Sequence, residues 1–514
     1  MRRFFWLLPL LVLPLVGWRL IDARDEAIPG PGPQPVCDNP SVLNTIGLLG
    51  NRSCAASACH GSVQPDRQLY NLNSSNIGRN EFIVWLEQDP HAGAFETLSN
   101  KTSLQMFERL GVMQSGKVTA PERYRVLLRR CVACHSPDLH DDLGEKEIAA
   151  KLSGPNPLSG EGVGCEACHG AAKEWRARHY KRDWDDLDTA ASVRLGMVDT
   201  ANLMVRARRC AQCHVGGPGL DVDHDLIAAG HPALKFELAG YLDRLPKHWN
   251  DTRERKGRKS HELQLWAAGQ LAASEASLHL LETRAAAAEE RRAGSSLAEL
   301  AEYNCYACHH DLGTPSWRQQ RGYTNRRPGA MPWSNWAHAM PRLLAEHAKT
   351  DEFTTLLNDL QNTMESGPAP NAAKVRQQAA AARLALCRLM NATERTGIDP
   401  TRLQQSLAGL AAPNRRSAVV ADWDTATQFY LALVAADVSY RDDRGGDPDP
   451  QDAAITARLL ELRERLRFPR QTDSPADFRG TLKDTLKDGS SRQEIQQHIL
   501  SIIKEQSRRI EAAR

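Results

Sequence analysis

The chain has 514 residues, of which 41% are hydrophobic and 25% are charged, and its mean hydropathy is −0.49. This length and composition are typical of a globular protein with two or three domains. The 65 Lys and Arg residues nearly balance the 63 Asp and Glu residues. Such a balance excludes the broad basic field of a nucleic-acid-binding protein, so we expect no nucleic-acid partner.

The N-terminus has the pattern of an export signal. Arg2 and Arg3 precede an almost unbroken apolar run over residues 4–18, which is shorter than the about 20 residues that cross a bilayer. We therefore expect residues 1–22 to be a signal peptide or an N-terminal anchor, followed by a Pro- and Gly-rich linker over residues 23–50. The rest of the chain is then expected outside the cytoplasm, with the membrane as a partner only if the N-terminal segment is retained.

The 12 cysteines follow a repeated pattern that disulfides alone would not require. Four Cys-x-x-Cys-His motifs occur, although a chain of this composition would contain one by chance roughly 0.01 times. Two thiols at this spacing can each bind one haem covalently, and the following His can ligate its iron, so the motifs predict c-type haem attachment. Zinc sites do not require a His after each pair. The attachment cysteines are Cys131, Cys134, Cys165, Cys168, Cys210, Cys213, Cys305 and Cys308, and the proximal ligands are His135, His169, His214 and His309.

A fifth motif has four residues between its cysteines instead of two. It reads Cys54-Ala-Ala-Ser-Ala-Cys59-His60. A longer loop can still bring both sulfurs to one haem, with His60 as the proximal ligand, whereas a disulfide beside an unrelated His is the alternative. We count five haem c groups in all. The two cysteines left over, Cys37 and Cys387, would either pair with each other or stay free.

A haem iron in an electron carrier commonly takes a second His, and the chain has 17 histidines. Pro90 precedes His91 and Pro232 follows His231, so the backbone is restricted at both positions. The predicted distal ligands are His91, His179, His231 and His338, with His224 and His310 as candidates for the fifth place. His140, His248, His261 and His279 are expected to be surface or capping residues.

The positions of the motifs predict a mainly α fold with little or no β structure. In the pentahaem domain, residues 51–340, short helices and loops wrap stacked haems. A long helix over residues 261–303 leads to the last motif and is interrupted at residues 294–296. Residues 341–514 contain no motif, and we interpret them as a packed helical bundle, with a docking platform for a partner as the alternative. Its predicted helices are 342–363, 371–391, 400–411, 424–438, 451–466 and 491–512.

Four segments resemble the cytochrome c-554-type family of multihaem cytochromes: 54–61 (CAASACHG), 162–170 (GVGCEACHG), 223–232 (DHDLIAAGHP) and 305–312 (CYACHHDL). The resemblance covers roughly residues 50–340. It implies a mostly helical protein with closely stacked, largely bis-histidine haems that relays electrons in the periplasm, often in nitrogen or sulfur metabolism. The chain departs from the family in its fifth motif and its long motif-free tail.

Two functions of different classes fit these observations. The first is an electron relay that serves redox protein partners or a membrane quinol-linked complex. The second is an oxidoreductase acting on a small nitrogen or sulfur compound at one five-coordinate haem, and the irregular motif that ends in His60 is its first candidate site. No Cys-x-x-Cys-Lys motif is present, and the motifs are fewer than in octahaem hydroxylamine-oxidising enzymes. We therefore favour the relay and leave enzymatic activity open.

Overall fold

A computed structural model of the chain describes residues 47–64, 78–137, 162–292, 295–297, 299–305, 308–309, 331–410, 412, 415–445, 449–466 and 492–512. The predicted signal segment and most of the linker lie outside these residues, as do Cys37, His140 and His310. Among the helices of the described ranges, none combines the length and the apolar character needed to cross a membrane.

The described residues form 18 α-helices and one two-stranded sheet, which confirms the mainly α fold class. The helices around the first four motifs are short: α1 (Glu81–Gln88), α2 (Lys101–Arg109), α3 (Pro121–His135), α4 (Cys165–His169), α5 (Arg182–Asp185), α6 (Thr189–Arg194), α7 (Leu203–His214), α8 (His224–Ala229), α9 (Leu238–Arg244) and α10 (Asp251–Lys256). Strands β1 (Met113–Gln114) and β2 (Lys117–Val118) form an antiparallel hairpin, with Met113 opposite Val118.

Side-chain caps determine where several of these short helices begin. The capping side chains, which accept hydrogen bonds from free N–H groups of the first turn, are Asn100 at α2, Asp188 at α6, Asn202 at α7 and Asp223 at α8. Each such cap stabilises a helix by about 1 kcal/mol. Local sequence therefore fixes the starts of helices that are too short to be stable alone.

The centre of the fold is the long helix α11 (His261–Arg291). It is buried on nearly every side, and Trp266 is fully buried. Gly269 allows α9 to approach closely, because a Cβ atom there would lie 2.5 Å from the Cβ of Leu238. The predicted long helix ends at Arg291, close to the interruption predicted at residues 294–296, and residues 295–297 are not helical.

Seven motif-free helices follow the last motif: α12 (Ala339–His347), α13 (Glu352–Met364), α14 (Ala372–Thr396), α15 (Pro400–Gly409), α16 (Trp423–Asp443), α17 (Asp452–Leu466) and α18 (Arg492–Ala512). Helix α11 packs most extensively against α14, α7 and α16. One continuous core of buried residues runs from Leu203 in α7 to Ile503 in α18. The two predicted domains, residues 51–340 and 341–514, therefore share buried residues across their predicted boundary.

The predicted helix over residues 342–363 is two helices in the structure, α12 and α13. Helix α12 stops because Lys349 adopts a left-handed conformation, with φ of 57°. The N–H groups of Lys349 and Thr350 then donate to the carbonyls of Glu346 and Ala345, each at 3.0 Å. This is the Schellman arrangement, which usually uses Gly, so a Lys at this position gave no signal in the sequence.

A buried ion-pair cluster fixes the last helix, α18, to the bundle. Arg509, whose side chain is 1% exposed, lies 2.8 Å from Asp437, also 1% exposed, and 2.9 Å from Asp452. Arg441 pairs with Asp437 from the next turn of α16 at 2.8 Å. Removing one partner of such a cluster leaves a charge buried without its counter-charge.

We expect Arg509→Met to lower the free energy of unfolding by about 3 kcal/mol, because Asp437 and Asp452 lose a buried partner. The matched control is Arg388→Met, which breaks a half-exposed pair with Glu352 and should cost less than about 1 kcal/mol. Urea unfolding followed by far-ultraviolet circular dichroism measures both. Equal losses in the two variants would contradict the prediction.

Candidate haem sites

Three of the Cys-x-x-Cys-His motifs lie on helices. Helix α3 ends at His135, α7 ends at His214, and the whole of α4 is the motif from Cys165 to His169. In the last motif, the N–H of His309 donates to the carbonyl of Cys305 at 2.8 Å. Helical spacing brings both thiols and the following imidazole to one side of the chain.

The first motif closes by tight turns instead of a helix. The N–H groups of Cys59 and Gly61 donate to the carbonyl of Ala56, at 2.8 Å and 3.0 Å. Gly61 is required there, because a Cβ atom would lie 1.9 Å from the carbonyl oxygen of Ala55. The turns bring Cys59 and His60 back beside Cys54, whose carbonyl accepts the N–H of His60 at 3.3 Å.

Four motif imidazoles each face a second imidazole from elsewhere in the chain. The distances between ring centroids are 6.1 Å for His60 and His179, 6.4 Å for His135 and His231, 6.3 Å for His169 and His248, and 5.9 Å for His214 and His91. Two imidazoles on one metal ion would have centroids roughly 6 Å apart, since each nitrogen lies about 2 Å from the metal. All four pairs therefore fit the axial ligands of an iron.

Hydrogen bonds orient five of these rings through Nδ1. The acceptors are Oε2 of Glu81 for His60 (2.9 Å), Oδ1 of Asp89 for His91 (2.9 Å), and the carbonyls of Ala94 for His135 (2.9 Å), Arg176 for His179 (2.7 Å) and Pro232 for His231 (2.8 Å). With Nδ1 donating, Nε2 is left as the nitrogen for a metal, the usual arrangement of a ligating His.

Burial keeps most of these rings neutral. It lowers the pKa of both His169 and His214 to about 4, and it also lowers the pKa of His179, His231 and His248. His60 differs, because its hydrogen bond with Glu81 raises its pKa. A neutral imidazole is the form that binds a metal, so these five half-buried rings can act as ligands near pH 7.

The motifs lie close together in pairs. The thiol of Cys54 is in hydrogen-bond contact with that of Cys165, which lowers the pKa of Cys54 to about 6. The thiols of Cys134 and Cys213 are in the same contact. The first motif therefore adjoins the third, and the second adjoins the fourth.

The third motif is anchored to the segment that precedes the first motif. Oδ1 of Asn51 accepts the N–H of Cys165 at 2.7 Å. The carboxylate of Glu166, 2% exposed, accepts the N–H groups of Leu49 at 2.9 Å and Gly50 at 2.7 Å. Gly164 makes this contact feasible, because a Cβ atom there would lie 2.3 Å from the Asn51 side chain.

Several buried polar atoms beside the motifs have no hydrogen-bond partner in the described part of the chain. They are Oγ of Ser136, Nε1 of Trp175, Nη1 of Arg209 and Oε1 of Gln212. Buried polar groups are almost always satisfied, so these atoms fit a polar group that binds among the motifs. The guanidinium of Arg209 interacts electrostatically with Cys168, Cys210 and Cys213 of the third and fourth motifs. The orphaned atoms, the thiols and the paired imidazoles together fit haem, which carries carboxylates and an iron.

The predicted distal residues His91, His179 and His231 each face a motif imidazole, although ligation itself stays a prediction. His338 is buried, with Nδ1 2.9 Å from Oγ of Ser274, and it stacks on Trp333 at 4.4 Å. His224 opens α8, and its N–H donates to Glu299. Neither ring contacts a motif imidazole among the described residues. The role of these two, and of His310 outside the described ranges, stays a prediction.

The expectation that His248 is a surface or capping residue is wrong about its position, because the ring is half-buried and faces His169. Its sequence carried a weak signal. Pro246 restricts the backbone nearby, as Pro232 does beside His231, and Trp249 contacts the ring edge-on at 5.2 Å.

Paired thiols followed by His, with an imidazole opposite four of these five His, are the arrangement of a c-type cytochrome, an electron-transfer protein with covalently bound haem. Residues 54–170 match the family model described as cytochrome c554 and c-prime, which confirms the resemblance to the cytochrome c-554-type family. The match contains the first three motifs and stops before the fourth. No curated protein and no solved structure matches the chain.

We expect His248→Ala to create one high-spin iron, because the ring opposite His169 is removed while the motif stays intact. Electron paramagnetic resonance of the oxidised, haem-loaded protein measures this, with a haem count to show that no haem is lost. The control is His279→Ala on α11, a half-buried ring without contact to a described motif imidazole. A low-spin spectrum without change in His248→Ala would contradict the assignment.

Proposed function

We propose that the protein relays electrons between redox partners outside the cytoplasm through five covalently bound haems, most of them with two His ligands. The observation that carries the proposal is the set of four imidazole pairs with centroids 5.9–6.4 Å apart. A bis-histidine iron has no position for a substrate, so this ligation favours electron transfer over catalysis.

Each haem, when bound, supplies an iron that takes up and releases one electron. The chain's own residues do the rest. The cysteines of each motif would hold the porphyrin, and the opposed imidazoles would supply the nitrogen ligands of its iron. The hydrogen bonds at Nδ1 keep the rings in place, and partial burial limits the access of water to His169 and His214.

The contacts between motifs support an order for the relay. The thiols of Cys54 and Cys165 adjoin, as do those of Cys134 and Cys213. Arg209 interacts with cysteines of both the third and the fourth motif and so connects the two pairs. The order that follows is first, third, fourth and second motif, with the first and second at the two ends.

The fifth motif lies beside the helical bundle. Cys305 interacts electrostatically with Lys235, which lies 2.5 Å from Asp424 at the start of α16. Burial, as the largest cause, raises the pKa of Cys305. The surroundings of this motif are thus built partly from the motif-free tail, which gives the tail a role in holding the fifth haem.

The location outside the cytoplasm rests on two observations. The sequence begins with the pattern of an export signal. Cys387 is disulfide-bonded, and disulfides persist in oxidising compartments. In the periplasm the partners would be soluble redox proteins or a membrane complex linked to quinol. Because His179 faces His60, the first motif no longer favours the alternative of a catalyst with an open iron there.

The haem count tests the proposal. We expect intact mass and pyridine haemochrome spectra to give five haems in the mature protein, and four in Cys54→Ala/Cys59→Ala. The control Cys387→Ala removes a cysteine outside the motifs and should keep five. Four haems in the unmodified protein, or an unchanged count in the double variant, would refute haem attachment at the first motif.

The electron capacity tests the relay itself. Coulometric reduction of the mature protein should take up five electrons per chain, one for each iron, with reversible reoxidation. Fewer electrons than haems would mean that some irons do not exchange electrons with the others, which the proposed chain of adjoining motifs does not allow.

A further inference from the structure

Two of the five oriented imidazoles donate to a carboxylate, whereas three donate to a backbone carbonyl. Glu81 accepts from His60 of the first motif, and Asp89 accepts from His91, which faces the fourth motif, both at 2.9 Å. Both rings of the second site, His135 and His231, donate to carbonyls instead. The second site therefore lacks the negative charge that the first and fourth sites have at one ligand.

The two carboxylates are held firmly in place. Glu81 also accepts the N–H groups of Gly78 at 2.5 Å and Arg79 at 3.1 Å. Asp89, which is buried, also accepts the N–H of His91 at 2.9 Å. Among the described residues, the ion-pair partner of each carboxylate is its histidine. In the described part of the chain the negative charge therefore acts mainly on the bonded ring and is not neutralised by Lys or Arg, and both carboxylates act more weakly on His248 of the third site.

A carboxylate at Nδ1 draws the ring proton toward itself and makes the imidazole more electron-rich. Such a ring stabilises the ferric iron more than the ferrous iron and lowers the reduction potential. A carbonyl oxygen at Nδ1 lowers the reduction potential less than a carboxylate does, because it has no net charge. Hydrogen-bond partners of this kind are one of the ways in which a protein tunes a haem.

We propose that Glu81 and Asp89 set the reduction potentials of the first and fourth haems below that of the second. The proposal rests on the proposed function, since it requires haem at these motifs. In the relay order given above, it makes electron transfer favourable from the first motif toward the second. Electrons then enter at the end that carries Glu81 and leave at the end that carries His135.

Spectroelectrochemical titration of the mature protein tests this with Glu81→Gln and Asp89→Asn, which keep an acceptor atom and remove the charge. Each variant should raise the potential of one redox component most, and this component should differ between the two variants; a smaller rise at the third site is expected in both, because both carboxylates also interact with His248. The control Glu87→Gln removes the same charge from an exposed position on α1 and should leave every potential nearly unchanged. The double variant Glu81→Gln/Asp89→Asn should show both rises.

Potentials that do not rise beyond those of Glu87→Gln, or that fall, would overturn the proposal. The haem count separates this failure from failure of the proposed function, because five haems with unshifted potentials refute only the tuning. If the Glu81→Gln variant does not bind haem at the first motif, the Glu81→Asp variant is measured in its place. That variant keeps the charge but shortens its reach to His60, so a smaller rise in the same component is expected and an unchanged potential refutes the role of Glu81.

Discussion

Two imidazoles can hold one iron only if they face each other with their centres roughly 6 Å apart, and the other features of the haem-binding part serve that requirement. The two histidines of each pair are roughly 100 residues apart in sequence, far beyond the reach of any local turn. Short capped helices deliver the motif residues, and restricted backbone beside Pro90 and Pro232 delivers His91 and His231.

The third motif is the point where these long connections meet. On one side, Asn51 and Glu166 fix it to the segment that precedes the first motif. On the other side, the N–H of Val163 donates to the carbonyl of His91 at 2.9 Å. The carbonyl of Val163 accepts a hydrogen bond from Nε1 of Trp85 at 3.0 Å. One short segment therefore positions parts of the first, third and fourth sites relative to one another.

The sequence was informative where chemistry needs a fixed local spacing. Cys-x-x-Cys-His motifs, the mainly α class and the long helix α11 could all be read from it. The pairing of His248 with His169 could not be predicted from the sequence, because it depends on where two distant segments meet. The end of α12 at Lys349 was equally invisible, since a left-handed non-glycine residue leaves no compositional trace. Tertiary contacts, and not propensity, decide such positions.

The shared core has a consequence for the speed of electron transfer. Helix α7 buries Leu203, Ala207 and Ala211 in the same core as α11 and the bundle, and it ends at His214. Closely packed interiors are hard to compress and shift little. In the proposed relay, His214 would thus bind the fourth iron from a stiff frame, which would keep nuclear reorganisation small when the charge of that iron changes. The motif-free helices would then serve the relay mechanically, by reducing how far atoms must move for each electron that passes.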